Sequence, residues 1–131
     1  MTSDEENVIR AIFTRWNAGV WEVDGALVHP EVELHSAMTN SVWRGHVGVQ
    51  AWIDEIREQF ETWFLELSEL REVGPGNWLG LGEIKARGKT SGLNLDQTAG
   101  WMFRFRDGKV DRLQTFISHQ EAEAFAQALV R

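Results

Sequence analysis

Histidines are the side chains of this sequence best suited to proton transfer. The chain has four of them among 131 residues, with no cysteine and no tyrosine. An imidazole can accept or relay a proton near neutral pH. His35 stands in the alternating run E-V-E-L-H-S at 31–36, so we expect it near the end of a short strand, as a candidate general base. A structural role, with the ring bonded to backbone or water, is the alternative.

The sequence predicts neither a metal centre nor a cofactor site. His29, His46 and His119 do not have the spacing of a metal-binding motif, with one another or with a carboxylate. Without cysteine there is no thiolate ligand, disulfide or cysteine nucleophile. The glycines between 74 and 82 match neither the dinucleotide-binding nor the phosphate-loop pattern. Any chemistry is therefore expected to be acid–base chemistry without a cofactor.

Tryptophan is unusually frequent in this sequence. Seven Trp and seven Phe are present. Several large rings with one N–H donor each often line a cavity or an interface in a small domain. Simple filling of the core is the alternative.

Charge and length exclude several classes of protein. The 20 acidic and 13 basic residues give a formal net charge of −7 without a basic stripe, which argues against a nucleic-acid partner. No apolar run approaches the roughly 20 residues of a membrane span, and the acidic start at 4–6 is unlike a signal peptide. We expect a single domain over residues 1–131, located in the cytoplasm, with no membrane partner.

The elements that must position these residues follow from periodicity. Ser3 with Glu6, and Ser118 with Glu121, have capping-box spacing and predict a first and a last helix. Asp24 predicts a short second helix, and the glycines at 45 and 48 lead into a third. Strands are expected over 31–36, 63–73, 78–87, 93–106 and 110–117. Helices followed by antiparallel strands and a closing helix predict an α+β domain with one curved sheet.

The last hairpin decides which side chains share a face. A two-residue loop at Asp107-Gly108 would place Phe103 opposite Arg112 and mix polar with apolar residues. We therefore expect a three-residue loop over 106–108 with Gly108 left-handed. Trp101 and Phe103 then lie on one face with Leu113, Thr115 and Ile117.

Four segments carry a resemblance to a known family: H-P-E-V-E-L at 29–34, G-H-V-G-V-Q-A-W at 45–52, F-R-F-R-D-G-K-V at 103–110 and F-I-S-H-Q-E-A at 116–122. With them the chain resembles the SnoaL-like branch of the nuclear transport factor 2-like, or ketosteroid-isomerase-like, superfamily. The resemblance implies a cone-shaped domain in which N-terminal helices pack on a strongly curved mixed or antiparallel sheet, with a short C-terminal helix and an internal apolar cavity. It also implies a homodimer through the convex sheet face, where Leu79, Leu81, Met102 and Arg112 would lie.

The resemblance also places candidate site residues. His35 falls where ketosteroid isomerases carry their general base, whereas the positions of their oxyanion hole fall on Trp16 and Trp101. The carboxylates of the related epoxide hydrolases are missing, since one of their positions falls on Thr115. We expect the following residues to line the cavity: Trp16, Trp43, Trp52, Trp78, Ile84, Trp101, Phe103, Leu113, Thr115 and Ile117.

Three functions fit these expectations. The first is a domain that binds a small apolar or aromatic molecule in a tryptophan-lined cavity without chemistry. The second is a small acid–base enzyme of the polyketide cyclase or isomerase kind with His35 as base. The third is a non-catalytic dimerisation module. The missing Tyr and Asp favour binding.

Overall fold

The computed structural model describes residues 3–90 and 92–130. Its elements, in chain order, are α1 (Asp4–Asn17), β1 (Val28–Ser36), β2 (Ser41–Arg44), α2 (Gly45–Gln59), β3 (Phe60–Gly74), β4 (Asn77–Gly88), β5 (Asn94–Arg106), β6 (Lys109–Phe116) and α3 (His119–Leu129). The predicted α+β class is confirmed. Within the described part of the chain, no helix is long and apolar enough to cross a membrane.

The six strands form one mixed sheet in the order β2-β1-β6-β5-β4-β3. β1 and β6 are parallel, and the other neighbours are antiparallel. The helices α1 and α2 cover one face, called here the inner face, and α3 covers the other, the outer face. The chain therefore builds two layers of core, one on each side of the sheet.

Local capping explains where α1 and α3 begin. The Ser3 hydroxyl accepts a hydrogen bond from the Glu6 amide at 3.1 Å, and the Ser118 hydroxyl accepts one from the Glu121 amide at 3.3 Å. Each serine satisfies an amide that the first helical turn leaves without a partner. Both predicted helix starts are confirmed.

Two expectations about the first half of the chain are wrong. The helix predicted from Asp24 is a turn, because the Asp24 carboxylate accepts from the Ala26 amide at 2.8 Å and strand β1 begins at Val28. The loop expected after Ser36 contains the short edge strand β2, which pairs with β1. A four-residue edge strand has too few positions to show a period in the sequence.

The β5–β6 hairpin has a two-residue turn, so the predicted three-residue loop is wrong. Asp107 and Gly108 both have positive φ, 54° and 76°, as a type I′ turn requires. Phe105 pairs with Val110 but Arg104 pairs with Arg112, so Asp111 is the extra residue of a β-bulge. The bulge shifts the register by one residue, so Trp101 pairs with Thr115 and Phe103 with Leu113, and these residues share one face as expected.

Asp111 is a buried carboxylate at this bulge, with 5% of its surface exposed. The Arg104 guanidinium donates to it at 2.7 and 3.2 Å, and the Arg106 guanidinium lies 3.4 Å away. The hydrogen bond from Arg104 to Asp111 raises the pKa of that guanidinium above its ordinary value. Both arginines thus compensate the charge that the bulge buries.

The outer face differs from the surface that the predicted dimer needs. Its apolar residues Leu79, Leu81 and Met102 are at most 8% exposed, because Ala122 and Ala126 of α3 pack on them. The last helix therefore already occupies the apolar centre of this face. The homodimer stays a prediction.

Candidate functional site

A cavity of about 150 Å³ lies between the inner face of the sheet, α1, α2 and the linker between α1 and β1. Its wall is mainly aliphatic and aromatic. Five of the seven tryptophans line it: Trp16, Trp21, Trp52, Trp63 and Trp101. Val20, Met38 and Ile117 line it while 42–49% exposed, so the opening lies at these residues.

Eight of the ten predicted lining residues line this cavity: Trp16, Trp52, Ile84, Trp101, Phe103, Leu113, Thr115 and Ile117. Trp43 and Trp78 do not. Trp43 lies on the edge strand and packs against the core under α2, with its N–H donated to the Ser41 hydroxyl at 2.9 Å. Trp78 is buried at the start of β4 and donates to the Glu5 carboxylate on α1 at 2.9 Å. Both rings fill core space outside the cavity.

His35 does not line the cavity, so its expected placement there is wrong. Val32, Leu34 and Ser36 of β1 are buried on the inner face and line the cavity. Because side chains alternate along a strand, His35 shares the other face with Glu33. Its Nε2 donates to the Glu33 carboxylate at 3.1 Å. The alternation of E-V-E-L-H-S in the sequence already indicates this placement, since His35 is two residues from Glu33.

The contact with His35 changes the pKa of Glu33. The hydrogen bond from His35, with a smaller contribution from Arg44, holds the pKa of Glu33 below the ordinary glutamate value. The pair is half exposed on the outer side of β1. His35 thus stabilises a surface carboxylate and has no access to a molecule in the cavity.

The remaining histidines bond to the backbone. His46 Nε2 lies 2.9 Å from the Val28 carbonyl, and His119 Nε2 lies 2.8 Å from the Gly82 carbonyl. His119 is half buried and connects the start of α3 to β4. In the described residues no three His, Cys, Asp or Glu side chains are grouped so as to hold a metal ion.

Several lining residues were missing from the sequence prediction. Ser36 follows from the parity of β1, and Trp63 begins the alternation Trp63, Leu65, Leu67 of β3. Trp21 lies in the linker and stacks on Trp16 with ring centroids 5.1 Å apart. The alternation of residues along the strands predicts the positions of Ser36 and Trp63. Trp21 lies in an irregular linker, where no alternation predicts its position.

Charged lining residues come from α1 and the linker. Arg15 and Asp24 lie 3.7 Å apart, each about one third exposed, and Glu22 lines the cavity beside them. The linker itself is held to α2 by Gln50, which accepts from the Val23 amide at 2.9 Å and donates to the Trp21 carbonyl at 3.1 Å. Charge is therefore confined to this side of the cavity.

The indole N–H groups of the cavity fall into two sets. Trp16 donates to the Trp63 carbonyl at 2.8 Å, and Trp21 donates to the Trp16 carbonyl at 2.7 Å. The N–H groups of Trp52, Trp63 and Trp101 have no acceptor among residues 3–90 and 92–130. Three of the lining tryptophans thus donate to no group of the described chain.

Comparison with known proteins identifies the fold. The family model of the SnoaL-like domain matches residues 9–113, and no curated protein matches the chain. Among solved structures, an NTF2-like protein of unknown function from Burkholderia pseudomallei K96243 superposes with a TM-score of 0.81 at 17% identity, covering 92% of this chain and 95% of that one.

Two further structures have the same fold. TerC, co-crystallised with polyporic acid, has a TM-score of 0.78 at 16% identity over 95% of this chain and 99% of its own. A candidate SnoaL-like polyketide cyclase from Jannaschia sp. CCS1 has a TM-score of 0.75 at 16% identity over 94% and 90%. Identities this low support the likeness of fold alone.

Proposed function

The chain belongs to the SnoaL-like domain family, and on that basis we propose that it binds a small apolar or aromatic molecule in the tryptophan-lined cavity. The observation that carries the proposal is the volume of about 150 Å³ that remains open inside an otherwise well-packed core. A cavity of this size accepts a ring the size of benzene.

The wall supports a flat ligand in particular. Trp101 meets Phe13 edge to face at 5.0 Å, and Trp16 stacks on Trp21. Aromatic faces that the protein fixes in this way lose little entropy when a further ring packs on them. TerC, which has this fold, was crystallised with polyporic acid, so a ligand in such a domain has a precedent.

The placement of His35 argues against the acid–base mechanism that the sequence suggested. A general base must come within hydrogen-bond distance of the proton it takes. His35 lies on the opposite face of the sheet from the cavity. Binding is therefore the function that the geometry supports best.

A thermal-shift screen of one- and two-ring aromatic compounds tests this proposal, with wild type and His35→Ala measured side by side. A ligand at 100 times its Kd stabilises the folded state by about 2.7 kcal/mol. We expect equal shifts in both proteins, because His35 is outside the cavity. The proposal fails if no compound in the set raises Tm, or if every shift disappears in His35→Ala.

A further inference from the structure

Two indole N–H groups of the cavity wall have no acceptor among the described residues. Trp63 and Trp101 are 5% and 4% exposed, and both line the cavity. In the described residues, every fully buried side-chain nitrogen or oxygen has a partner. Since neither indole donates a hydrogen bond, each nitrogen has to keep some accessible surface. Both rings line the cavity, and we infer that this surface faces it.

The polar side chains on the sheet side of the cavity are mainly donors. An indole N–H can only donate. The Thr115 hydroxyl oxygen already accepts from the Ala37 amide at 2.9 Å, and the carboxylates of Glu22 and Asp24 lie on the linker side of the cavity. Ser36, 5% exposed, adds a hydroxyl that can donate as well as accept. A ligand therefore meets mainly donors on the sheet side.

Resting on the proposed binding function, we propose that the ligand is a neutral aromatic molecule with a carbonyl oxygen that accepts from Trp101 or Trp63. A hydrocarbon of the same shape would displace water from these N–H groups and leave them without a partner, which costs affinity. A carbonyl oxygen replaces that water.

Charge favours a neutral ligand over an anionic one. Arg15 is the one cation among the described lining residues, and Asp24 lies 3.7 Å from it. Glu22 adds a second carboxylate on the same side. The two carboxylates outnumber the guanidinium, and the chain carries a net charge of −7, so an anion meets no excess positive charge on its way in.

The two donors lie in separate parts of the wall. On β4, Trp101 has Gly80 as its cross-strand neighbour, whereas Trp63 has Ala86, six residues further along. A single carbonyl of a small ring therefore uses one donor or the other. Testing the two tryptophans separately shows which one the ligand contacts.

Calorimetric titration of 1-indanone and indane tests the proposal, since the two molecules share a ring skeleton and differ in one carbonyl. For wild type we expect a Kd about three- to tenfold lower for 1-indanone, the usual value of one hydrogen bond. Trp101→Phe or Trp63→Phe removes a free N–H and keeps an aromatic ring. In one of them the preference should disappear.

Trp21→Phe is the matched control, because Trp21 lines the same cavity but donates its N–H to the Trp16 carbonyl. It loses the same ring volume, and the preference for 1-indanone should remain. Equal affinity of wild type for both compounds would overturn the proposal and leave the binding function intact, as would a preference that survives both test variants. If neither compound binds while the thermal-shift screen finds other ligands, the proposal is overturned and the binding function stands.

A measurement on wild type covers the case in which a variant does not fold. The indole ¹H–¹⁵N resonances of Trp63 and Trp101 should respond differently to the two compounds, because only 1-indanone accepts a hydrogen bond. A downfield proton shift of one of them with 1-indanone and not with indane supports the proposal. Identical responses to both compounds contradict it.

Discussion

At the scale of single residues, His35 lies outside the cavity, whereas several tryptophans line it. The imidazole, the group that the sequence favours for chemistry, bonds to Glu33 on the outer side of β1. The indoles of Trp63 and Trp101, which composition favours for packing, line the cavity and donate to no described residue. The face of the strand that a residue occupies, and not its residue type, therefore decides whether it reaches the cavity.

The His35–Glu33 pair makes a prediction about pH. In His35→Ala the carboxyl group of Glu33 should titrate at a higher pH than in wild type, since the hydrogen bond that lowers its pKa is gone while Arg44 remains. A carboxyl group whose pKa is lowered by folding contributes stability above its unfolded pKa. It loses that contribution as pH falls through the folded pKa.

Carboxyl-detected NMR titration measures the Glu33 pKa, and urea unfolding at several pH values measures stability. The difference in unfolding free energy between wild type and His35→Ala should be largest near neutral pH and shrink in acid. His29→Ala, at the other end of β1 and not among the groups that shift the Glu33 pKa, should leave the Glu33 titration unchanged. An unchanged Glu33 pKa in His35→Ala would show that the contact contributes nothing in solution.

At the scale of elements, backbone irregularities set the positions of the strands. A bulge at Asp111 realigns β6 with β5, and a second at Ser68 realigns β3 with β4. At the second bulge the backbone approaches so closely that a Cβ on Gly82 would overlap the Glu66 carbonyl oxygen. Bulges bend and twist a sheet. Here they lie within β3, which carries Trp63, and within β6, which carries Thr115.

Gly100 sets how closely α3 packs on the outer face. A Cβ at this position would lie 2.6 Å from the Cβ of Ala122, so Gly100→Ala should push the helix away from β5. We expect a loss of about 1–3 kcal/mol in the free energy of unfolding, measured by urea denaturation. Gly25→Ala is the control, because its Cβ would meet only the His46 ring at 3.6 Å.

A double variant separates this clash from a general effect of alanine in the strand. Ala122→Gly removes the facing methyl group, at a cost of about 1 kcal/mol for glycine in a helix. Gly100→Ala with Ala122→Gly should then be more stable than the sum of the two single changes predicts. Strict additivity would mean that α3 does not pack as the structure places it.

At the scale of the whole molecule, the sequence is sufficient for the fold and for part of the site. Helix caps and strand alternation are local signals, so α1, α2, α3 and the long strands are predicted close to their bounds. The bulge at Asp111 is not predicted, because it is fixed by pairing and by the burial of its carboxylate between two arginines. The cavity wall is predicted in part. Whether Trp43 or Trp78 reaches the cavity depends on how far along its strand each ring lies.

The cavity also implies a relation between stability and binding in the whole domain. Leu113 lies on β6 between Leu34 and Phe103 and lines the cavity while still partly exposed. Leu113→Phe should fill part of the open volume. We expect it to raise the free energy of unfolding by about 0.5–2 kcal/mol, the usual gain from filling a cavity, and to weaken ligand binding at least tenfold.

The matched control is Val47→Phe, which adds a ring on α2 at a position that is 85% exposed. Surface changes of this kind stay within about 0.5 kcal/mol, and ligand affinity should be unchanged. Thermal unfolding with and without 1-indanone measures both quantities in one experiment. If Leu113→Phe lowers Tm and keeps full affinity, the volume beside Leu113 is not the volume that the ligand occupies. If it raises Tm and abolishes the ligand-induced shift, the domain keeps a cavity that costs it stability and that its function requires.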